Sequence, residues 1–284
     1  MLRGFTIRRV GGRTLTVYLP VVFIVLVMLF PFYWMLVTSL KPIQELYNKQ
    51  ASPFTVLQPT LAHYRYLFDK TLYLTWLKNT LIITMGSTLI SIAVSIPAGY
   101  ALARLRFPGA ATLGWLIFVT YLVPPTLLFI PMMQLVSALG LTDTIWALIL
   151  VYPTFLTPFG TWLLTGYFRA IPRDMEECAL VDGCTKTGAM VRIAMPLAIP
   201  GILSVFIFAF TLSWNEFIYA LTLVSDASLK TVPVAVQAEL IMADAHMWGE
   251  IMAAGLLGSI PVALIYSFFV DYFVAGMTAG AVKG

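Results

Sequence analysis

The chain has 284 residues, 60% of them hydrophobic and only 11% charged, with a formal net charge of +4. An ordinary soluble domain carries roughly 25% charged residues, so that class is excluded. No basic patch with interleaved aromatics occurs, so the positive balance is assigned to membrane topology rather than to nucleic acid.

Runs of about 20 residues without a charge are read as membrane spans. They recur along the whole length and predict an all-α integral membrane protein: six helices at about 15–40, 79–103, 109–136, 144–168, 197–224 and 251–275, forming one membrane domain. The first span follows Arg3, Arg8, Arg9 and Arg13 and has no small-residue cleavage site after it, so it is expected to be a retained anchor. The first exterior loop, Lys41 to Lys78, holds Tyr64, Tyr66, Phe68, Tyr73 and Trp76. These suit an aromatic belt at the headgroups, with partner binding as the alternative.

The run from Phe107 to Thr142 is too long for one helix at ~1.5 Å per residue. Pro124, Pro125 and Pro131 fall inside it and predict a kink or break near the bilayer centre.

Between the fourth and fifth spans lies a charged loop, Arg169 to Pro196. Pro172 fits a helix start, Asp174, Glu176 and Glu177 suit the positive end of the helix dipole, and Gly183 suits a C-terminal cap. A second short helix is expected from Thr185 to Ile193, with Pro196 and Pro200 opening the fifth span. Met175, Cys178 and Ala179 share one face of the first short helix. That turn of apolar surface, flanked by acids, could insert into a groove on another protein or pack beneath its own bundle.

In the fifth span Ser204, Thr211, Asn215 and Thr222 recur at helical spacing as one polar stripe, with Tyr219 beside it and Trp214 and Glu216 at its border. Amide and hydroxyl groups near an aromatic ring suit a sugar, whose hydroxyls need hydrogen-bond partners and whose C–H faces stack on rings. The alternative is that small polar side chains join helices. Glu216 and Asn79, both near outer span ends, are read either as pathway residues or as solvated groups.

The second exterior loop, Ser225 to Glu250, is acidic through Asp226, Glu239, Asp244 and Glu250, and Val232 to Met242 could form a short surface helix. His63 and His246 have no ligand cluster at metal spacing, so no metal is assigned. Asp271 is placed near the inner end of the last span, facing headgroups or a partner.

Orientation follows from the basic residues. An inside N-terminus leaves Arg3, Arg8, Arg9, Arg13, Arg104, Arg106, Arg169, Arg173, Lys186, Arg192 and Lys283 cytoplasmic. Both termini and the loop carrying Cys178 and Cys184 are then inside, where thiols stay reduced.

Glu177, Ala179, Gly183, Ile193 and Pro196 match a pattern of Glu-Ala-Ala, three residues, Gly, nine residues, Ile, one residue, Leu-Pro; Cys178 replaces one alanine and Met195 the leucine. In this the chain resembles the permease subunits of bacterial ATP-binding cassette importers, specifically the maltose-type sugar permeases. Tyr100 to Gly109, Ser213 to Phe217 and Gly276 to Gly284 also resemble that family, so the likeness covers essentially the full chain.

The resemblance implies that the 174–196 loop is a coupling helix docking in a cleft of a separate ATPase, with Glu177, Ala179, Asp182, Gly183, Ile193 and Pro196 as its residues. It further implies a second homologous permease, two ATPase subunits that bind the ATP and Mg, an extracytoplasmic solute-binding protein, and a bacterial inner-membrane location. The chain has no phosphate-binding Gly-x-x-x-x-Gly-Lys-Ser/Thr of its own, so no enzymatic site and no cofactor are expected in it. Two other classes remain. An ion-gradient-driven transporter would rely on Glu216, and a non-transporting scaffold would explain the loop but not the polar stripe.

Overall fold

The computed structural model describes residues 17–242 and 245–281, with side chains described for 17–241 and 247–270. Arg3, Arg8, Arg9, Arg13, Asp244 and Lys283 lie outside the described residues, as do the side chains of His246, Asp271 and the tail from Gly276.

The described elements are, in order, α1 Leu19–Leu40, α2 Ile43–Leu46, α3 Ala62–Lys70, α4 Tyr73–Arg104, α5 Ala110–Leu122, α6 Pro125–Ala138, α7 Ile145–Val151 and α8 Pro153–Ala170. They continue with α9 Asp174–Val181, α10 Lys186–Ala189, a π-helical turn Met190–Ala194, α11 Met195–Leu197, α12 Ile199–Trp214, α13 Ile218–Leu223, α14 Val232–Leu240 and α15 Trp248–Ala281. Two two-residue strands, β1 Ile241–Met242 and β2 Ala245–His246, pair antiparallel.

Among the described residues four helices are long and apolar enough to cross a membrane, and up to six if each of two bent pairs is one span. The first bent pair is α5 and α6, turned by 96°. The break falls at Val123 and Pro124, both extended, because Pro125 fixes its own φ and biases the residue before it away from helix. The second pair runs from Lys186 to Trp214 with a 75° bend.

By its internal contacts the chain divides into two compact units, Met1–Thr71 with Leu240–Ser259, and Leu72–Glu239 with Ile260–Gly284. In the first, α1 leaves most of its apolar side chains exposed, as a lipid-facing helix does. The loop after it is tied down by polar groups. The Lys41 ammonium donates to the carbonyls of Ser52 (2.7 Å) and Pro53 (3.1 Å), and the Ser39 and Tyr64 hydroxyls are bonded at 2.8 Å.

His63, on α3, is buried with Nδ1 2.9 Å from a Glu250 carboxylate oxygen and Nε2 2.7 Å from the Lys41 carbonyl. Gly249 leaves the space that the imidazole fills, since a Cβ there would overlap the ring.

In the second unit, α4 packs most closely on α8 and then on α12. Its buried face carries Thr80, Thr84, Ser87, Thr88, Ser91 and Ser95 at helical spacing. These are small side chains that let helices approach, and the Ser87 and Ser213 hydroxyls join α4 to α12 at 2.9 Å. Around them lies an apolar core that includes Ile83, Leu148, Tyr152, Leu156, Tyr219 and Leu223.

Three expectations are corrected. The helix that carries the second span begins at Tyr73 rather than at Asn79, with Lys78 exposed while Tyr73 and Trp76 pack inward. Tyr73 and Trp76 therefore do not belong to a headgroup belt, and the Trp76 indole donates to the Ala227 carbonyl at 2.8 Å. The fifth span is broken between Trp214 and Ile218, so Asn215 and Thr222 do not continue one helical stripe.

Candidate functional site

The charged loop is built around α9. Its first turn carries Asp174, Glu176 and Glu177, which suit the unsatisfied N–H groups there. Its end is a Schellman cap: Cys184 N–H donates to the Ala179 carbonyl (2.9 Å) and Gly183 N–H to the Leu180 carbonyl (3.1 Å). Gly183 has φ +87°, and no atom lies within 4 Å of a Cβ placed there, so backbone conformation rather than space demands glycine.

Thr185 then caps the next helix, accepting from Gly188 N–H at 3.1 Å. The expected second helix ends not at Ile193 but at Leu197, continuing through the π turn; Pro196 sits within it and the bend falls at Ala198.

α9 has two faces. Glu176 and Ala179 are buried, whereas Met175, Glu177, Cys178, Leu180, Val181 and Asp182 are exposed, Val181 at 87%. The expected face of Met175, Cys178 and Ala179 is therefore split. Ala179 packs inward, and the exposed apolar group is Met175, Leu180 and Val181, flanked by Glu177 and Asp182. Ile193 is half-buried and Pro196 exposed. Beneath the loop, Ala194, Ala198, Met190 and Met195 pack on Ile96, Tyr100 and Ala103 of α4 and on Leu164 and Phe168 of α8.

Glu176 is the residue that sequence reasoning missed. It is 7% exposed; one carboxylate oxygen accepts from the Tyr100 hydroxyl and the other from Arg104 Nε, each at 2.7 Å. The Arg104 guanidinium also donates to the Ile171 carbonyl at 2.7 Å. Tyr100 and Arg104, one turn apart on α4, were visible as a Tyr-Ala-Leu-Ala-Arg segment closing a span. Nothing local paired them with a glutamate beyond two further spans.

The pathway candidates separate on inspection. Glu216 is a helix cap: its carboxylate accepts from the N–H groups of Tyr219 (2.8 Å) and Ala220 (3.1 Å) at the start of α13 and from the Tyr152 hydroxyl (2.8 Å). Tyr219 is buried, stacks on Phe155 and donates to the Pro125 carbonyl at 2.8 Å. Trp214 is buried and stacks on Phe210.

Asn79 is 8% exposed and holds the loop before α14, donating to the carbonyls of Ser228 (2.8 Å) and Lys230 (3.2 Å). In the fold Tyr219, Trp214 and Glu216, expected beside or bordering the polar stripe, and Asn79, expected as a pathway or solvated group at an outer span end, are engaged in packing, capping and loop contacts. Thr211 and Asn215 stay accessible. Asn215 is exposed at the break with its amide on the Thr211 carbonyl (2.8 Å), and the Thr211 hydroxyl lies 3.3 Å from that of the exposed Tyr266.

Among the described residues no group of three His, Cys, Asp or Glu side chains is placed to hold a metal ion. The histidine at 63 is engaged with Glu250 and a carbonyl.

Comparison with known proteins bears on this arrangement. Residues 95–279 match the family described as binding-protein-dependent transport system inner membrane component. The chain is 39% identical over 258 residues to the sulfoquinovosyl glycerol transport system permease protein SmoH of Agrobacterium fabrum, covering 90% of this chain and 89% of that one. It is 34% identical over 281 residues to the inner membrane ABC transporter permease protein YcjP of Escherichia coli, covering 98% of each. Its fold superposes with a TM-score of 0.79 and 20% identity on a bacterial ABC transporter involved in import of the acidic polysaccharide alginate, over 94% of this chain and 98% of that one.

Proposed function

The chain belongs to the family of inner-membrane components of binding-protein-dependent transport systems, and from that membership we propose that it forms half of the translocation pathway of an ATP-driven importer for a carbohydrate or related polar solute. A second permease completes the pore, two ATPase subunits bind ATP and Mg on the cytoplasmic side, and an exterior binding protein delivers the solute. With each bent pair taken as one span and both termini inside, the 174–196 loop would lie on the side of the ATPase.

One observation carries this reading: α9 is anchored from within and presented outward. A capped helix held by a buried ion pair, with Met175, Leu180 and Val181 exposed between Glu177 and Asp182, is a preformed surface that the described residues leave uncovered. Exposed apolar groups with a charged rim fit a cleft on another protein. ATP-driven movement of that partner would shift a two-state equilibrium between outward and inward openings.

The solute class rests on two supports. The relative in Agrobacterium fabrum is named for sulfoquinovosyl glycerol transport. In this chain the accessible polar group at the break of the fifth span is an amide beside a hydroxyl and a tyrosine, Asn215, Thr211 and Tyr266. An ion-gradient mechanism would need a carboxylate free to exchange protons or ions. Glu216 was its candidate, and its oxygens already accept three hydrogen bonds.

The test is reconstitution of the full importer in proteoliposomes. ATP-dependent uptake and ATPase activity that rises with the loaded binding protein support the reading. Uptake that persists after ATP is exhausted while a proton gradient remains contradicts it.

A further inference from the structure

The docking helix has two routes into the membrane part. Along the backbone it packs on α10 and the π turn, which lead through the bend at Ala198 into α12. Its other tie is made of side chains, where the Glu176 carboxylate closes onto Tyr100 and Arg104 in the last turns of α4.

The same Arg104 guanidinium binds the Ile171 carbonyl at the end of α8, so one cation joins α4, the exit of the fourth span and the docking helix. The pair is closed off from solvent: the two side chains are 6% and 9% exposed. A buried pair of this kind resists separation, because moving either partner alone strands a charge. Tyr100 is further fixed edge-on against Phe168 at 5.6 Å. From this anchored end, α4 runs to the hydroxyl pair of Ser87 and Ser213, next to the break that exposes Asn215.

We propose that Glu176, Arg104 and Tyr100 are positioning residues for coupling: they form the link by which displacement of the docking helix moves the second span along with the fifth. This rests on the reading that the 174–196 loop docks an ATPase. Without the link, the docked helix would still drive α12 through the chain but would leave α4 behind. Hydrolysis would then be spent with the second span out of step.

The experiment uses the complete importer, with partner permease, ATPase subunits and binding protein, and reads three quantities: ATPase subunits retained on purification, ATP hydrolysed, and solute taken up per ATP. Glu176→Gln keeps the shape and removes the charge, Arg104→Lys keeps the charge and removes the fork, and Tyr100→Phe removes one hydroxyl. Retained ATPase subunits with uptake per ATP lowered by roughly 2- to 30-fold, largest for Glu176→Gln and smallest for Tyr100→Phe, are the expected result. A merely structural defect would lower hydrolysis and uptake together and leave their ratio unchanged.

An unchanged ratio in complexes that retain their ATPase overturns the link while leaving the docking reading intact. Should Glu176→Gln fail to assemble, Tyr100→Phe decides by the same ratio. A wild-type complex without bound ATPase overturns the docking reading and the link with it.

Discussion

Buried polar residues in this chain are resolved by what their partners can accept. Both nitrogens of His63 face acceptors, the Glu250 carboxylate and the Lys41 carbonyl, so the ring is held as an imidazolium that donates twice. The Glu250 hydrogen bond raises the pKa above its ordinary 6.5, burial opposes it, and the Lys41 carbonyl adds to the rise. The folded protein therefore binds a proton more tightly than the unfolded chain. The contribution of the pair is complete below pH 6.5 and is lost as pH rises through the higher folded value. Thermal unfolding in detergent should show stability falling over that window, and His63→Gln should flatten the slope. Gly249→Ala should act in the same way, since its Cβ would displace the ring; a slope retained in both variants would refute the assignment. Glu216 makes the complementary case. Glu216→Ala removes the acceptor for two N–H groups and a buried Tyr152 hydroxyl, a loss of about 1–3 kcal/mol. Melting temperature should fall while the ranking of transported solutes is preserved, and altered selectivity would return Glu216 to the pathway. From sequence its charge near a span end suggested function; two of its donors are N–H groups that follow it in the chain, and the third, the Tyr152 hydroxyl at the junction of α7 and α8, is brought to it only by the fold.

At the scale of elements, punctuation was legible and phase was not. The break at Val123–Pro124, the helix opening near Pro172, the glycine cap at 183 and the short helix from Val232 all follow from local chemistry that needs no tertiary contact. The fifth span was read as continuous because no proline or glycine marks Asn215 to Phe217. The uncharged run does stop at Asn215, but a single charge near a span end does not show that the Glu216 side chain caps a new helix there. Likewise the spacing of Met175, Cys178 and Ala179 gave a helical face, but which side was buried depended on Glu176 finding Arg104. The cap at Gly183 supplies a prediction at this scale. An L-residue in left-handed backbone costs roughly 1–2 kcal/mol, and Asn tolerates it better than Ala. Gly183→Ala should therefore lower ATP-coupled uptake more than Gly183→Asn, as measured by initial uptake rates at matched expression. Equal rates for the two variants would show that the cap does not set the loop.

For the whole molecule, composition announced a membrane protein and the loop pattern its family, and the match over residues 95–279 agrees with both. The division into two compact units was not legible, because it joins the loop after α1 to residues that come nearly two hundred positions later, such as Glu250. Contacts of that separation leave no periodic trace in the chain. The account stands on α9 meeting a separate ATPase, and Val181 is the most outward large side chain of that helix. The most direct measurement is photo-crosslinking in the intact importer from a light-activated phenylalanine analogue placed at Val181, with the buried Ala179 position as control. An adduct with the ATPase subunit from position 181 and none from position 179 is the predicted result. An adduct from position 181 to lipid or to the exterior binding protein, with no ATPase product, would contradict the account.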